Sequence, residues 1–247
     1  MDAKAVLLVG GMGTRLRSVV ANTPKPLASV GDQPFLELLV RQLRHQGIRQ
    51  LVFCTGYLAQ EIENNFGDGR TRDLKIEYSK ESYPLGTAGA VKLAQPLLGG
   101  VSDFLVMNGD SFMETEFREL LHFHRRTGGI ASMAVVRMKN EMRYGTVQLA
   151  ADGRVSGFSE KSDADSSGFV NAGIYVFNQS IFEHLPEGPA SLEREVFPKI
   201  LNLGLYASEQ RGIFIDIGIP EDYARAQALC EQLYEAACRK QSPTDTD

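Results

Sequence analysis

The chain has 247 residues, 43% of them apolar and 23% charged, with a formal net charge of −5. It is long enough to bury a sizeable core in one large α/β domain or two small ones, and its charge balance leaves no basic footprint for nucleic acid. Cys54, Cys230 and Cys238 form neither a disulfide framework nor a metal-ligand spacing, no apolar run reaches membrane-spanning length and no signal-peptide pattern opens the chain, so a cytoplasmic protein without membrane partners is expected.

The first element is the apolar, β-branched run Ala5–Val9, which reads as a buried strand. It ends in Gly10-Gly11-Met12-Gly13-Thr14-Arg15-Leu16. Glycines leave backbone N–H groups bare to a ligand, and an Arg fork suits phosphate oxygens. The loop fits a phosphate site, but glycine-rich turns after strands also occur without a ligand. It is neither a dinucleotide fingerprint, which needs Gly where Leu16 stands, nor a P-loop, which needs Gly-Lys-Ser/Thr. Pro24-Lys25-Pro26 then places a second cation in a stiff loop.

Pro34 opens a helix with Leu36, Leu39, Val40 and Leu43 on one face, closed by Gly47. Leu51–Thr55 reads as a strand, Leu58–Phe66 as a short helix and Leu74–Tyr78 as a third strand. This β-α-β-α-β order implies a parallel sheet with right-handed crossovers. Pro84 to Ala90 is a Gly-bearing turn into a helix. Thr87 is either its N-cap or part of a flat slot where a base meets backbone. Asp103–Met107 is the fourth strand and runs into Asn108-Gly109-Asp110-Ser111, either a plain turn or a carboxylate at the ligand-binding end of the sheet. Thr115 is the expected cap of a helix to Arg126. His122 and His124, two apart on it, read as surface residues, and Gly128-Gly129 stops it before the strand Ala131–Arg137.

From residue 140 the pattern turns antiparallel. Tyr144–Leu149 and Val155–Ser159 flank the Asp152-Gly153 turn. Ser162 to Ser167 reads as a mobile loop. Phe169–Phe177 is a strand in which Asn171 and Gly173 suggest close approach of a ligand or backbone. Ser191 starts a helix to about Leu203, with Glu193-Arg194-Glu195 read as a solvated face. Gly212–Gly218 is a strand ending in Asp216. Pro220 opens a final helix with Tyr223, Ala226, Cys230 and Leu233 inward.

Together the glycine loop, Pro24-Lys25-Pro26-Leu27, Leu85-Gly86-Thr87-Ala88-Gly89, Asn108-Gly109-Asp110, Tyr144-Gly145, Glu160-Lys161, Asn171-Ala172-Gly173-Ile174-Tyr175 and Asp216-Ile217-Gly218 resemble, in order along nearly the whole chain, the sugar-nucleotide pyrophosphorylases. Those nucleotidyltransferases join an NTP to a sugar 1-phosphate. Arg15–Val19, Asp32–Glu37, Arg143–Val147 and Phe214–Gly218 look most like the guanylyltransferases of D-glycero-α-D-manno-heptose 1-phosphate. The resemblance implies the nucleotide-diphospho-sugar transferase fold: α/β, with a Rossmann-like, mostly parallel central sheet flanked by helices and a smaller antiparallel sugar-binding lobe. One domain, 1–247, is expected. Its nucleotide-binding core spans about 1–137, its sugar-phosphate lobe and closing helix about 138–240, and a frayed tail 241–247. At this length no C-terminal left-handed β-helix is expected.

The resemblance also implies roles. Leu8, Gly10, Gly11, Gly13, Thr14 and Arg15 would wrap the nucleotide, with Lys25 on its phosphates. Gly86, Thr87 and Gly89 would line base and ribose, and Leu85, Asn108 and Gly109 would also bind the nucleotide. Arg15, Lys25 and Asp110 would be catalytic, and Asp110 and Asp216 would share Mg²⁺. Tyr144, Gly145, Glu160, Lys161, Asn171 and Asp216 would hold the sugar phosphate. Ser162 departs from the Pro that follows Glu-Lys in many relatives. The expected substrates are GTP and the heptose 1-phosphate, with a homodimer left open. Alternatives are a uridylyltransferase for an amino sugar phosphate, a mannose 1-phosphate guanylyltransferase, or a nucleotide-sugar-binding regulatory subunit without catalysis.

Overall fold

The computed structural model describes residues 3–16, 19–20, 23–139, 145–159 and 167–239. β1 (Lys4–Leu8) is followed by a short hairpin, β2 (Ser29–Val30) and β3 (Gln33–Pro34), which leads into α1 (Phe35–His45). Then come β4 (Gln50–Thr55), α2 (Ala59–Phe66), β5 (Lys75–Lys80) and α3 (Gly86–Leu93). β6 (Asp103–Asn108), β7 (Ser111–Met113), α4 (Phe117–Thr127) and β8 (Ala131–Lys139) complete the first half. The second half holds β9 (Thr146–Leu149), β10 (Val155–Ser159), β11 (Ser167–Asn178), α5 (Phe197–Ile200), β12 (Leu205–Gln210), β13 (Phe214–Asp216), α6 (Pro220–Ala228) and α7 (Cys230–Ala237).

β5, β4, β1, β6, β11, β8 and β12 lie side by side in that order. The first four run parallel, and β11 enters antiparallel to both β6 and β8. The amino-terminal part of β11 leaves β6 and pairs with β9, so the β9–β10 hairpin is an antiparallel extension of the same sheet. The break in register with β8 falls between Asn171 and Tyr175, around Gly173 at φ +72°. The architecture is thus mixed α/β with a mostly parallel central sheet. Central strands are buried on both faces, which explains their unbroken apolar runs. Leu7, Phe53 and Met107 face α1, α4 and α7, whereas Val6, Val52 and Val106 face α3 and α5.

Several local expectations change. Thr115 does not cap α4; its hydroxyl turns to Gln210, and Gln46 at the end of α1 accepts the Phe117 N–H at 2.7 Å. Its neighbour in the fold, not the preceding residue, supplies the cap. Thr87 lies inside α3, beyond the cap position, where its hydroxyl has partners across the molecule. His122 is exposed, but His124 is buried and bonds the Ser132 hydroxyl at 2.9 Å. The helix expected from Ser191 begins as a π turn, Leu192–Val196, and the closing helix breaks at Leu229 into α6 and α7. β7 and β12 went unread. Residues 162–166 of the expected loop and the tail 241–247 lie outside the described residues, and Ser167 already belongs to β11.

Candidate active site

The ends of β1, β4 and β6 are laced together where strand order reverses. Val9 N–H bonds Cys54 O at 3.0 Å, Gly109 N–H bonds Leu8 O at 3.0 Å, and Tyr57 N–H bonds Gly10 O at 3.3 Å. In open α/β sheets this crevice is where ligands bind. It holds two cavities, of about 180 and 290 Å³, that share Leu8, Gly11 and Asp110.

Gly13, Thr14, Arg15, Lys25 and Gly109 line the first cavity. Gly13 has φ +58°, and a Cβ there would stand 2.9 Å from the Lys25 Cβ, so only glycine lets the loop lie on the lysine. Thr14–Leu16 then forms a single 3-10 turn, leaving Arg15 exposed at the mouth. Lys25 Nζ meets Asp110 Oδ2 at 2.5 Å, with the lysine side chain only 10% exposed. Asp216 reaches the same place through β13, which pairs antiparallel with β7 and sets Asp216 opposite Ser111. Ile217 N–H bonds Asp110 O at 2.9 Å, and Asp216 Oδ1 accepts the Gly218 N–H at 2.6 Å.

Burial, then the Asp110 charge, pushes Asp216 up to about 6, against the pull of Lys25, Gly218 and Arg15. Asp216, raised by its own burial and by the Asp110 charge, and Asp110 itself place two hard-oxygen donors beside the first cavity. That set fits a divalent cation shared with phosphates, since Mg²⁺ takes one or two carboxylates and completes its shell from ligand and water. Among the described residues no group of three or more His, Cys, Asp or Glu side chains could hold a metal without such a ligand.

The second cavity is lined by Gly10, Gly86, Thr87, Asn108 and Glu81. No sequence motif marks Glu81, although it stands just past the end of β5 as Asp110 stands past β6. Its Oε2 accepts the Leu85 N–H at 3.1 Å, and burial raises its pKa above the usual carboxylate value. Leu85 and Gly89 do not join this cavity. They line a separate surface hollow on the other side of α3, with Gly89 pressed on the Gly188 carbonyl.

A third cavity takes Gly145, Asn171, Phe158 and Glu193. Tyr144, Glu160 and Lys161 lie outside the described residues. Glu193 is not on a solvated face. It accepts hydrogen bonds from Thr87, Ser191 and Tyr175, contacts that no local spacing announces.

Comparison with known proteins places the chain in a family. The Nucleotidyl transferase family model matches residues 4–232. Mannose-1-phosphate guanylyltransferase 1 of Arabidopsis thaliana is 38% identical over 245 residues, covering 97% of this chain and 67% of that protein. Mannose-1-phosphate guanylyltransferase of Mycobacterium tuberculosis is 36% identical over 229 residues, covering 91% and 63%. The chain therefore spans about two thirds of the length of the curated relatives it matches. The crystal structure of HddC from Yersinia pseudotuberculosis complexed with GMP-PN superposes with a TM-score of 0.82 at 31% identity, covering 92% of this chain and 98% of that one. A glycine-lined crevice at the strand-order reversal, a lysine and two convergent carboxylates, and a family match over almost every described residue lead to one conclusion: the chain belongs to the nucleotidyl transferase family.

Proposed function

We propose that the protein is a sugar 1-phosphate guanylyltransferase, moving the guanylyl group of GTP to a sugar 1-phosphate and releasing pyrophosphate. The observation that carries this reading is the convergence of the Gly10–Arg15 loop, Lys25, Asp110 and Asp216 on one crevice. Guanine is favoured because Glu81 lines the adjoining cavity. A carboxylate accepts only, and guanine alone among the common bases presents adjacent N1–H and N2–H₂ donors to one. The names of the relatives, and the GMP-PN held by HddC, support the same base. The acceptor we propose is D-glycero-α-D-manno-heptose 1-phosphate, from the resemblance of Arg15–Val19 and Arg143–Val147. The mannose-1-phosphate relatives favour mannose 1-phosphate as the second reading.

In the reaction an oxygen of the sugar phosphate bonds to the α-phosphorus while the bond to the β-phosphate oxygen breaks, and pyrophosphate leaves in line. The nucleophile is already ionised, so no side chain has to take a proton. The barrier is repulsion between anions and charge growth on the leaving group. Lys25, held by Asp110, with the Arg15 fork and the backbone N–H groups of Gly10–Gly13, would stabilise that charge. Asp110 and Asp216 would hold Mg²⁺, which when bound neutralises phosphate charge.

The test is pyrophosphate release with each NTP, Mg²⁺ and a panel of sugar 1-phosphates. GTP with the heptose phosphate is the expected pair, and release with GTP and mannose 1-phosphate alone selects the second reading. Release with UTP or dTTP only would overturn the guanylyl assignment, and none with any pair would point to a binding subunit. Glu81→Gln should lower kcat/KM for GTP about tenfold or more, the scale of a hydrogen bond to a charged group. Because burial raises the Glu81 pKa, KM for GTP should climb as pH falls, and this climb should vanish in Glu81→Gln.

A further inference from the structure

Glu193 occupies the π turn Leu192–Val196, a geometry that in proteins clusters at functional sites. Ser191 caps the turn by accepting the Arg194 N–H at 3.2 Å. This aims the Glu193 carboxylate inward, where it accepts three hydroxyls. Oε2 takes Thr87 at 2.9 Å and Ser191 at 2.8 Å, and Oε1 takes Tyr175 at 3.1 Å.

Each partner leads to a different substrate wall. Thr87 sits on α3 and lines the cavity assigned to the nucleoside; its oxygen also accepts the Leu192 N–H at 2.8 Å. Tyr175 is fully buried in β11 and accepts from Asn171 Nδ2 at 2.8 Å, and Asn171 Oδ1 accepts the Gly173 N–H at 2.9 Å. Asn171 and Glu193 line the sugar-side cavity. At Gly173 the Asn108 side chain fills the place of a Cβ, 2.8 Å away, and Asn108 returns to the nucleoside cavity. The contacts run from Thr87 through Glu193, Tyr175 and Asn171 to Gly173 and Asn108, so both ends of the chain of contacts line the same cavity. A carboxylate ringed by three hydroxyls is a demanding way to hold α3 against β11, because apolar packing would serve for cohesion alone. A hydrogen-bonded polar network instead favours one geometry.

We infer that Glu193 is a positioning residue that fixes the separation of the nucleotide and sugar walls, and with it the alignment of the sugar phosphate on the α-phosphorus. The inference rests on the guanylyltransferase reading. Glu193 moves no proton and touches no reacting atom; it acts through Thr87 and through Tyr175 and Asn171.

Glu193→Gln tests it, because the amide keeps the shape but turns one acceptor oxygen into a donor facing hydroxyls. The expected result is a kcat about 10- to 100-fold lower, since a misplacement of roughly 1 Å remote from the chemistry can have that effect. KM for each substrate, and calorimetric binding of a non-hydrolysable GTP analogue, should stay within about threefold, because each wall is intact by itself. Adding Tyr175→Phe to Glu193→Gln should lower kcat little further, since the two groups act as one unit. The inference is overturned by a wild-type kcat in Glu193→Gln, by a loss that merely follows the folded fraction in active-site titration, or by a rise confined to the KM of the sugar phosphate, which would make Glu193 a direct ligand. A wild-type protein that releases no pyrophosphate sinks the functional reading and this inference with it. An active wild type with an equally active Glu193→Gln protein sinks the inference alone.

Discussion

Lys25 reaches Asp110 from the stiff turn Pro24–Pro26, with little of its side chain left in water. In this setting its charge is hardly screened, so it acts on any phosphate in the first cavity more strongly than a surface lysine could. Lys25→Ala should lower kcat roughly 10²-fold or more, the effect of removing one preorganised donor, while leaving the fold intact. Steady-state pyrophosphate release checks this, and near-normal turnover would remove Lys25 from the proposed machinery. At this scale residue types were legible in sequence where a loop concentrates them. Gly10, Gly11, Gly13 and Arg15 stand out in the sequence because three glycines and one fork fall within a single turn, and three of them line the first cavity. Glu81 and Glu193 were not legible, because an isolated acidic residue reads as solvated until the neighbours that bury or bond it are known.

Most helices and strands were legible from an apolar face, β7 and β12 excepted. Leu36, Leu39, Val40 and Leu43 of α1 are all buried, as their spacing predicts. Element ends were less so, because long-range partners complete them. Gln46 accepts the Phe117 N–H and donates to Thr115 O at 2.8 Å, so one side chain joins the end of α1 to the start of α4. Gln46→Ala should destabilise by about 1 kcal/mol, typical of a lost cap, and lower Tm by a few degrees without changing kcat. Thermal unfolding alongside turnover separates the two effects. The burial of His124 gives α4 a pH dependence. Burial, outweighing the attraction of Asp103, lowers its pKa below 6.5. Below pH 6.5 the unfolded chain therefore binds the proton more readily, and the stability present above that pH is lost as pH falls toward the folded value. His124→Gln should flatten this dependence, measured as the urea midpoint on either side of pH ~6.5. An unchanged slope would show that other groups set it.

Across the whole molecule the site is an assembly of chain ends. α6 starts four residues after Asp216, and its Tyr223 and Gln227 bond Ser29 O in the β2–β3 hairpin that follows Lys25. The last part of the chain thus clasps the segment carrying the lysine to the segment carrying the carboxylate. A ligand gripped by both should stabilise the folded state as a unit. GTP with Mg²⁺ at about a hundredfold over Kd should add roughly 2.7 kcal/mol, seen as a rise in Tm of several degrees at the rate of ~2–4 °C per kcal/mol. Thermal shift assays with GTP, UTP and ATP would rank the bases without relying on turnover, and an equal shift from all three would argue against Glu81 as the discriminating group.

The sequence by itself determined the alternation of strands and helices, the glycine loop at the end of the first strand, and the family, because each is written in short-range spacing or in motifs kept in order. Tertiary structure alone decided which side chains share a cavity. Asp216 comes beside Asp110 because β13 pairs with β7, Gly89 stands outside the cavity that Thr87 lines because α3 packs on Gly188, and Glu193 becomes a hub because a π turn aims it at α3 and β11. The physical reason is common to all three. Local propensity governs φ, ψ and periodicity, whereas desolvation and hydrogen-bond satisfaction depend on neighbours that only the packed sheet brings together.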